Sequence, residues 1–428
     1  MRSFYVWLLA AALTTLALFQ DRPWKELQVF DWDAGGYYVY LPSAFIYHDL
    51  ARADSLQRIA EVSAPGHNRM LGLRPLPHRK FISKYPLGVA VGELPWFFGA
   101  HTFAQLRGTP ADGFARPYQH SIMLAGLVYG LLGLWIVRKL LLRYFEDTTA
   151  AWALAGVGLG TNFVAYVSYN AAMSHAVLFM WQASLLYCTA RWYENFRWRW
   201  MLGIGLFLGM AVLCRPTEIL FGLVPLAWGL TSWAAVRARP ALWLRHLGQL
   251  AAAVAVGAAV VSLQLLFWHH TTGQWLTYSY DDERFDFLHP HILDGLFSFR
   301  KGWLLYTPLA GLMLLGVAAL RRQVPSAVAP VLLLVPVLVY VTFSWGQWWY
   351  GGGFSARQLV SLYPLLALPL AALLAQARPR RWQVLLQGVM VLLIVLNLWQ
   401  TWQYAAGILL YDNNTAALYF RNFFHTSL

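Results

Sequence analysis

Apolar runs of roughly 17 to 22 residues recur from one end of the chain to the other, parted by short polar connectors. That is the length a helix needs to cross a bilayer. The runs read as spans at 4–19, 117–137, 150–168, 172–190, 200–214, 217–236, 248–267, 303–320, 326–343, 358–376 and 383–402. One further run, YPLGVAVGELPWFFGAHTFAQL (85–106), is also long enough, but it opens on a proline and contains Glu93, Pro95 and His101. A charged group at mid-bilayer costs about 2.5 kcal/mol or more on insertion scales. Counting this run as a span would also move every later basic connector to the outer side. Left out, it becomes a helix lying in the interface or re-entrant on the outer side. The pattern then predicts an all-α polytopic membrane protein with 11 spans, N-terminus in the cytoplasm and C-terminus outside. Residues 1–428 form a single transmembrane domain, with external segments at 20–116, 268–302, 344–357 and 403–428.

Composition agrees. The 428 residues are 59% hydrophobic and 12% charged, with 22 Trp, and mean hydropathy is +0.47; soluble domains carry about twice that charge. The net charge of +13 would suggest nucleic acid if it formed a patch. Instead it falls in short clusters, each abutting an apolar run: Arg138, Lys139 and Arg143; Arg191, Arg197 and Arg199; Arg237, Arg239 and Arg245; Arg321 and Arg322; Arg378, Arg380 and Arg381. This is the positive-inside pattern, so the charge encodes topology and nucleic acid is not a partner. Cys188 and Cys214 point towards opposite membrane faces and have no metal-site spacing, so neither a disulfide nor a metal is expected from them. Leu-Phe-Gln-Asp after the first run offers no small-residue cleavage site, so 4–19 is expected to be retained. The cytoplasmic connectors are too short to hold a domain, and no GxxxxGK[ST] pattern occurs. Chemistry must take place on the outer face or within the membrane.

The stretch FDWDAGGYYVY (30–40) leaves the first span with two acids, Asp31 and Asp33. In a helix Asp33, Tyr37 and Tyr40 would share one face. An acid at the membrane surface beside aromatic rings could serve as a general base; the plainer reading is that one of the pair caps the helix that follows. Arg215, Arg300 with Lys301, and Arg357 all lie on the outer side, against the positive-inside rule. An anionic ligand such as phosphate explains them, as do a carboxylate partner (Glu218 for Arg215) or lipid headgroups (for Arg300 and Lys301). His175 lacks companions at metal spacing and suits a hydrogen bond within its turn or to a sugar hydroxyl. His269-His270 with Asp281, Asp282 and Glu283 reads as a solvated acidic loop. Trp345, Trp348, Trp349 and Tyr350 make an interfacial aromatic belt or a stacking surface for sugar rings. The adjoining Gly351-Gly352-Gly353 allows close backbone approach, which a belt alone does not need.

An acid followed four residues later by tyrosine, just after the first span, resembles the GT-C glycosyltransferases, including protein O-mannosyltransferases and the lipid A aminoarabinose transferase. SKYPLGVAVGELPWF resembles that family's juxtamembrane Lys/Tyr-Pro-Pro-Leu helix, with one proline instead of two. NAAMSHAVLF (170–179), CRPTEILF (214–221), FSFRKGWLLYTPLAG and WGQWWYGGGFSARQL resemble outer-face motifs of bacterial members, in the same order and on the same side. The resemblance implies a GT-C fold and an inverting transfer of a sugar from a polyprenyl-phosphate carrier to a lipid, glycan or protein acceptor. Asp33, with Asp31 as the alternative, takes the position of the family's acid/base. Lys84 stands for its donor-phosphate lysine, although it lies two residues before Pro86 rather than next to it. Arg357, Lys301 and Arg215 would complete the phosphate site, and Tyr37, His175, Trp345 and Trp348 would meet sugar or acceptor. Phosphate is a good leaving group, so no cofactor is required, although a divalent metal is compatible; in a relative by fold, acids of external loops bind one. The implied location is the bacterial inner (cytoplasmic) membrane with the site facing the periplasm. A transporter or flippase of a lipid-linked saccharide shares the architecture, but usually shows inverted repeats and mid-membrane binding groups.

Overall fold

The computed structural model describes residues 1–21, 25, 27–50, 54–63, 72–76, 80–377 and 379–427. Arg378 of the last basic cluster and parts of the 20–116 segment lie outside the described residues. In chain order the helices are α1 (Arg2–Asp21), α2 (Asp33–Tyr38), α3 (Tyr40–Phe45) and α4 (Asp54–Ser63), a hairpin of β1 (Leu73–Leu76) and β2 (Lys80–Ser83), then α5 (Gly88–Arg107), α6 (Arg116–Leu141), α7 (Asp147–Leu159) and α8 (Phe163–Val167). There follow α9 (Ser174–Asn195), α10 (Trp198–Cys214), α11 (Leu223–Ala227), α12 (Trp233–Arg245), α13 (Leu247–Thr272), α14 (Ile292–Phe297), α15 (Trp303–Tyr306), α16 (Leu309–Leu315) and α17 (Val317–Gln323). The chain closes with α18 (Val328–Phe343), α19 (Tyr363–Gln376), α20 (Arg380–Ala405) and α21 (Ala416–Asn422).

Among the described residues six helices are long and apolar enough to cross a membrane: Arg2–Asp21, Arg116–Leu141, Leu247–Thr272, Pro325–Phe343, Arg357–Gln376 and Arg380–Ala405. The protein is a multi-pass, all-α membrane protein. Several of the expected spans are assembled from pieces. The 150–168 run breaks after Leu159, and Asn397 of α20 donates to the freed carbonyls of Leu159 and Thr161 at 2.9 and 2.8 Å. The 303–320 run breaks at Pro308, which has no N–H to give, and bends at Gly316, which lies against the Pro369 carbonyl. The expected 217–236 span is much shorter: a 3₁₀ stretch, Pro216–Gly222, leads into α11, and α12 begins a separate helix at Trp233. A 3₁₀ turn rises about 2.0 Å per residue against about 1.5 Å in an α-helix, so fewer residues cover the distance.

The run 85–106 forms α5, which is not among the helices long and apolar enough to cross a membrane. It runs beside the first half of α6 only: Tyr129 donates to the Gly92 carbonyl, Ser121 to that of Trp96 at 2.7 Å, and the His101 ring meets the Tyr118 hydroxyl at 2.6 Å. Lipid tails are as apolar as leucine, so spans associate where small residues let backbones meet. Gly205 and Gly209 of α10 face Ala253 and Gly257 of α13, and a Cβ at Gly205 would stand 2.2 Å from the Ala253 carbonyl oxygen. This contact sets α13 beside α10. At the centre α19 is nearly wholly buried, whereas α1, α13 and α20 face outward along most of their length.

The basic connectors collect at one end. Arg138 donates to Ser3 at 2.8 Å, Arg143 and Arg191 share Glu194, and His246 stacks on Phe196. Arg239 reaches Tyr193 and the Trp228 carbonyl, Gly229 bonds Ser326, and Gln376 bonds Ala319. The segments carrying Asp33, Lys84, His175, Arg215 and Arg357 meet at the other end.

Candidate active site

A cavity of about 380 Å³ opens at that second end, lined by Asp33, Tyr37, Lys84, Tyr85, His175, Arg215, Trp268, Tyr280, Glu283, Trp345, Tyr350 and Arg357 among others. Local backbone explains how each side chain arrives. Trp32 takes a left-handed turn at φ 57° and starts α2 without a side-chain cap, so Asp33 is the first helical residue and is not spent on capping. Its first-turn position also suits a negative charge. Asp33 and Tyr37 both face the cavity. Tyr40 does not: α2 ends at Tyr38, and the Tyr40 hydroxyl bonds the Tyr85 carbonyl at 2.5 Å from behind. α10 ends where Pro216 forces Arg215 into an extended conformation (φ −154°, ψ 116°), which swings its guanidinium into the cavity. His175 lies in the first turn of α9. Arg357 follows a loop in which Tyr350, Gly351, Gly353 and Ser355 all have positive φ.

The charged groups of the cavity meet one another. Arg357 donates to Asp33 Oδ2 and to the Tyr350 carbonyl, both at 2.7 Å, with its other nitrogen 3.5 Å from Met173 Sδ. Tyr85 donates to Asp33 Oδ1. Burial, reinforced by the Asp33 charge, holds the Tyr85 hydroxyl well above the ordinary phenol range, so it keeps the proton it donates. Tyr37 is raised in the same way and Tyr280 strongly so, burial being the main cause for both. Lys84 pairs with Glu283 and lies 5.2 Å from the Tyr280 ring centre. Arg215 meets Glu218 at 3.1 Å, the carboxylate named as its alternative partner, and approaches the Gln358 carbonyl, Ser174 and His175 at 3.4 Å. The cavity thus carries three cationic side chains and two carboxylates on its lining.

Three of the candidates from sequence are absent from that lining. Asp31 is one. Lys301 is 3% exposed and donates to the carbonyls of Gly353 and Tyr411. Burial pushes its ammonium down to about 7, with Asp412 pulling the other way. It is the peg beneath the loop that carries Arg357, and Arg300 beside it pairs with Asp412 at 2.9 Å over the Trp349 ring. Trp348 lies instead near His291 and Trp349, with the aromatic belt. His269 stacks on Trp275 at 4.2 Å, and among the described residues no three His, Cys, Asp or Glu side chains gather to share a metal ion. The reading from sequence missed Tyr85 and gave Glu283 no task. Tyr85 stands beside Lys84 in the quoted motif, but nothing local tells that it bonds an acid 52 positions away.

The sequence profile of the dolichyl-phosphate-mannose-protein mannosyltransferase family matches residues 115–268, from the start of α6 to Trp268. His175 and Arg215 lie inside that match, whereas Asp33, Lys84 and Arg357 lie outside it. No curated protein matches the chain in sequence. Among solved structures, ArnT from Cupriavidus metallidurans in the apo state is similar in fold, with a TM-score of 0.52 over 90% of this chain and 17% identity. The present chain spans 62% of the length of that protein. The profile thus covers the middle of the chain, and the likeness to ArnT is one of fold.

Proposed function

We propose that the protein is an inverting glycosyltransferase that takes a sugar from a polyprenyl-phosphate carrier on the extracytoplasmic face of the membrane. The observation that carries this reading is one cavity holding a carboxylate, Asp33, together with three cations, Lys84, Arg215 and Arg357, at the end opposite the basic connectors. The positive-inside rule then puts the cavity outside. Pro216, Trp268, Leu338 and Val341 form an apolar wall of the same cavity, and the carrier tail lies against it with its phosphate at headgroup depth.

Each oxygen of Asp33 already accepts one hydrogen bond and keeps a further lone pair. An acceptor hydroxyl that donates to Asp33 is oriented, and then deprotonated, as its oxygen attacks the anomeric carbon. The bond from that carbon to the phosphate oxygen breaks, and the lipid phosphate leaves with the electron pair. Its growing charge is met by Lys84 and Arg357. Tyr37 and Trp345 offer ring faces for the sugar, and His175 a hydrogen bond. A single displacement inverts the anomeric centre. Acceptors are lipid, glycan or protein.

The test is turnover of a panel of polyprenyl-phosphate sugars by the purified protein beside Asp33→Asn. We expect one donor to be consumed, and the variant to lose at least about 100-fold in rate with donor binding intact, the usual scale for a general base. Full activity in the variant would remove Asp33 from the role and bring Asp31 forward. Tight binding without turnover by both proteins would favour transport of the lipid-linked saccharide.

A further inference from the structure

Outside the candidate active site lies a second, wider cavity of about 790 Å³, open to the surface and lined by Gly72, Arg74, Asp281, Asp282 and Arg284 among others. Lys84, Tyr280, Glu283, Phe285 and Gln347 line both cavities and so form the wall between them. Most of this wall belongs to the strap 277–286, which is tied down on three sides. Ser279 donates to the Lys84 carbonyl at 2.7 Å, Asp281 pairs with Arg74 of β1, and Phe285 bridges to Trp345 with Gly346 N–H bonding the Arg284 carbonyl at 2.8 Å. The side-chain tie in the middle of the wall is the ion pair of Lys84 with Glu283.

The two partners of that pair are held very differently. Lys84 is fixed at its backbone, its N–H bonding the Gly72 carbonyl at 2.8 Å, and its ammonium rests near the rings of Tyr280 and Tyr85. Among the described residues only Lys84 meets the Glu283 carboxylate. Each side chain is 24% exposed, so the pair is wet and is worth little against a competing anion.

We infer that Glu283 is a placeholder for the donor phosphate: it neutralises Lys84 in the empty protein, and its displacement by the phosphate opens the wall between the two cavities. The inference rests on the donor reading above. The carboxylate and the phosphodiester of a lipid-linked sugar each carry one negative charge, so the exchange leaves the charge of the site unchanged. It also imposes an order. The outer cavity communicates with Asp33 through this wall only after the donor has taken Lys84, so an acceptor arriving by that route enters second. When the lipid phosphate is released, the same carboxylate competes for Lys84 and favours its departure.

Farnesyl monophosphate, with farnesol and inorganic phosphate as controls, tests this on the full-length protein in detergent. Glu283→Gln removes the competing charge and keeps the shape. It is expected to bind farnesyl phosphate about three- to tenfold more tightly, the scale of a part-exposed pair, whereas Lys84→Gln binds at least about tenfold more weakly. A gain of affinity is not what a folding defect produces. Amide exchange across 277–286 is expected to quicken when farnesyl phosphate is added to the wild type, and to be fast from the outset in Glu283→Gln. Equal or weaker binding by Glu283→Gln, with Lys84→Gln still impaired, would overturn the placeholder and leave the donor reading standing. Unchanged exchange across the strap would overturn the opening. Undiminished binding by Lys84→Gln would overturn both readings, and equally tight inorganic phosphate would overturn donor-driven opening.

Discussion

The two ends of the bundle use charge in opposite ways. At the basic end, Arg143 and Arg191 converge on Glu194 at 2.5 and 2.8 Å, and Arg239 is folded back onto Tyr193 and a backbone carbonyl. None of these residues lines the cavity at the other end. At the other end the pairs Asp33–Arg357, Lys84–Glu283 and Arg215–Glu218 surround a cavity of about 380 Å³ and leave it open. A cation beside lipid headgroups on the cytoplasmic side is at home. On the proposed topology the cations of the second end are kept against that preference, and they line open space beside their internal partners. Pairing by itself does not distinguish the charges of the two ends; the room left beside the pair does.

The largest effect is expected at Arg357. Arg357→Lys keeps the charge but loses the planar guanidinium, one nitrogen of which bonds both Asp33 and the Tyr350 carbonyl while the other lies against Met173 Sδ. Turnover is expected to fall about 100-fold, as when a transition-state donor is removed, with a melting midpoint close to wild type. A loss below threefold would take Arg357 out of the reaction.

Gly353→Ala acts one step behind. Gly353 has φ +156°, and a Cβ there would lie 3.0 Å from the Tyr166 hydroxyl and 3.3 Å from Arg357 Cδ. Strain of about 1–3 kcal/mol is typical of such positions, so we expect about a tenfold loss of turnover and a lower melting midpoint. An unchanged variant would show that the loop does not need this close approach.

Lys301 sharpens the comparison through pH. Its ammonium sits at about 7, below the ordinary 10.5, because the folded state disfavours its charge. Between those values the unfolded chain binds more protons than the folded one, so stability gains from this group as pH rises from about 7 towards 10.5. Below about 7 the cost of burying the charge is fully present. The wild-type melting midpoint should therefore climb more steeply between pH 7 and 9 than that of Lys301→Met. Parallel curves would contradict a buried, proton-shedding Lys301.

The smallest effect is expected at the other end. Glu194→Gln removes the partner of two arginines that are part-exposed, and such pairs contribute less than about 1 kcal/mol. Turnover should be unaffected. A catalytic defect there would mean that the two ends are coupled.

Hydropathy and charge placement, both carried by individual residues, determined much of this protein from the chain alone. The cost of placing a residue in lipid depends mainly on that residue, so the apolar runs and the gathering of basic connectors at one end were legible. So was a list of candidate groups that included Asp33, Lys84, His175, Arg215, Trp345 and Arg357. Only the tertiary structure decided which of them share a cavity. Asp33 and Arg357 are 324 positions apart, and Lys84 and Glu283 are 199 apart. Their meeting depends on how α10, α13 and the Gly353 loop pack, a property of backbone contacts that no window of sequence contains. For the same reason Lys301, which reads like an outer-side phosphate ligand, is a buried peg under two carbonyls, and Glu283, which reads like part of a solvated acidic loop, closes the wall of the site.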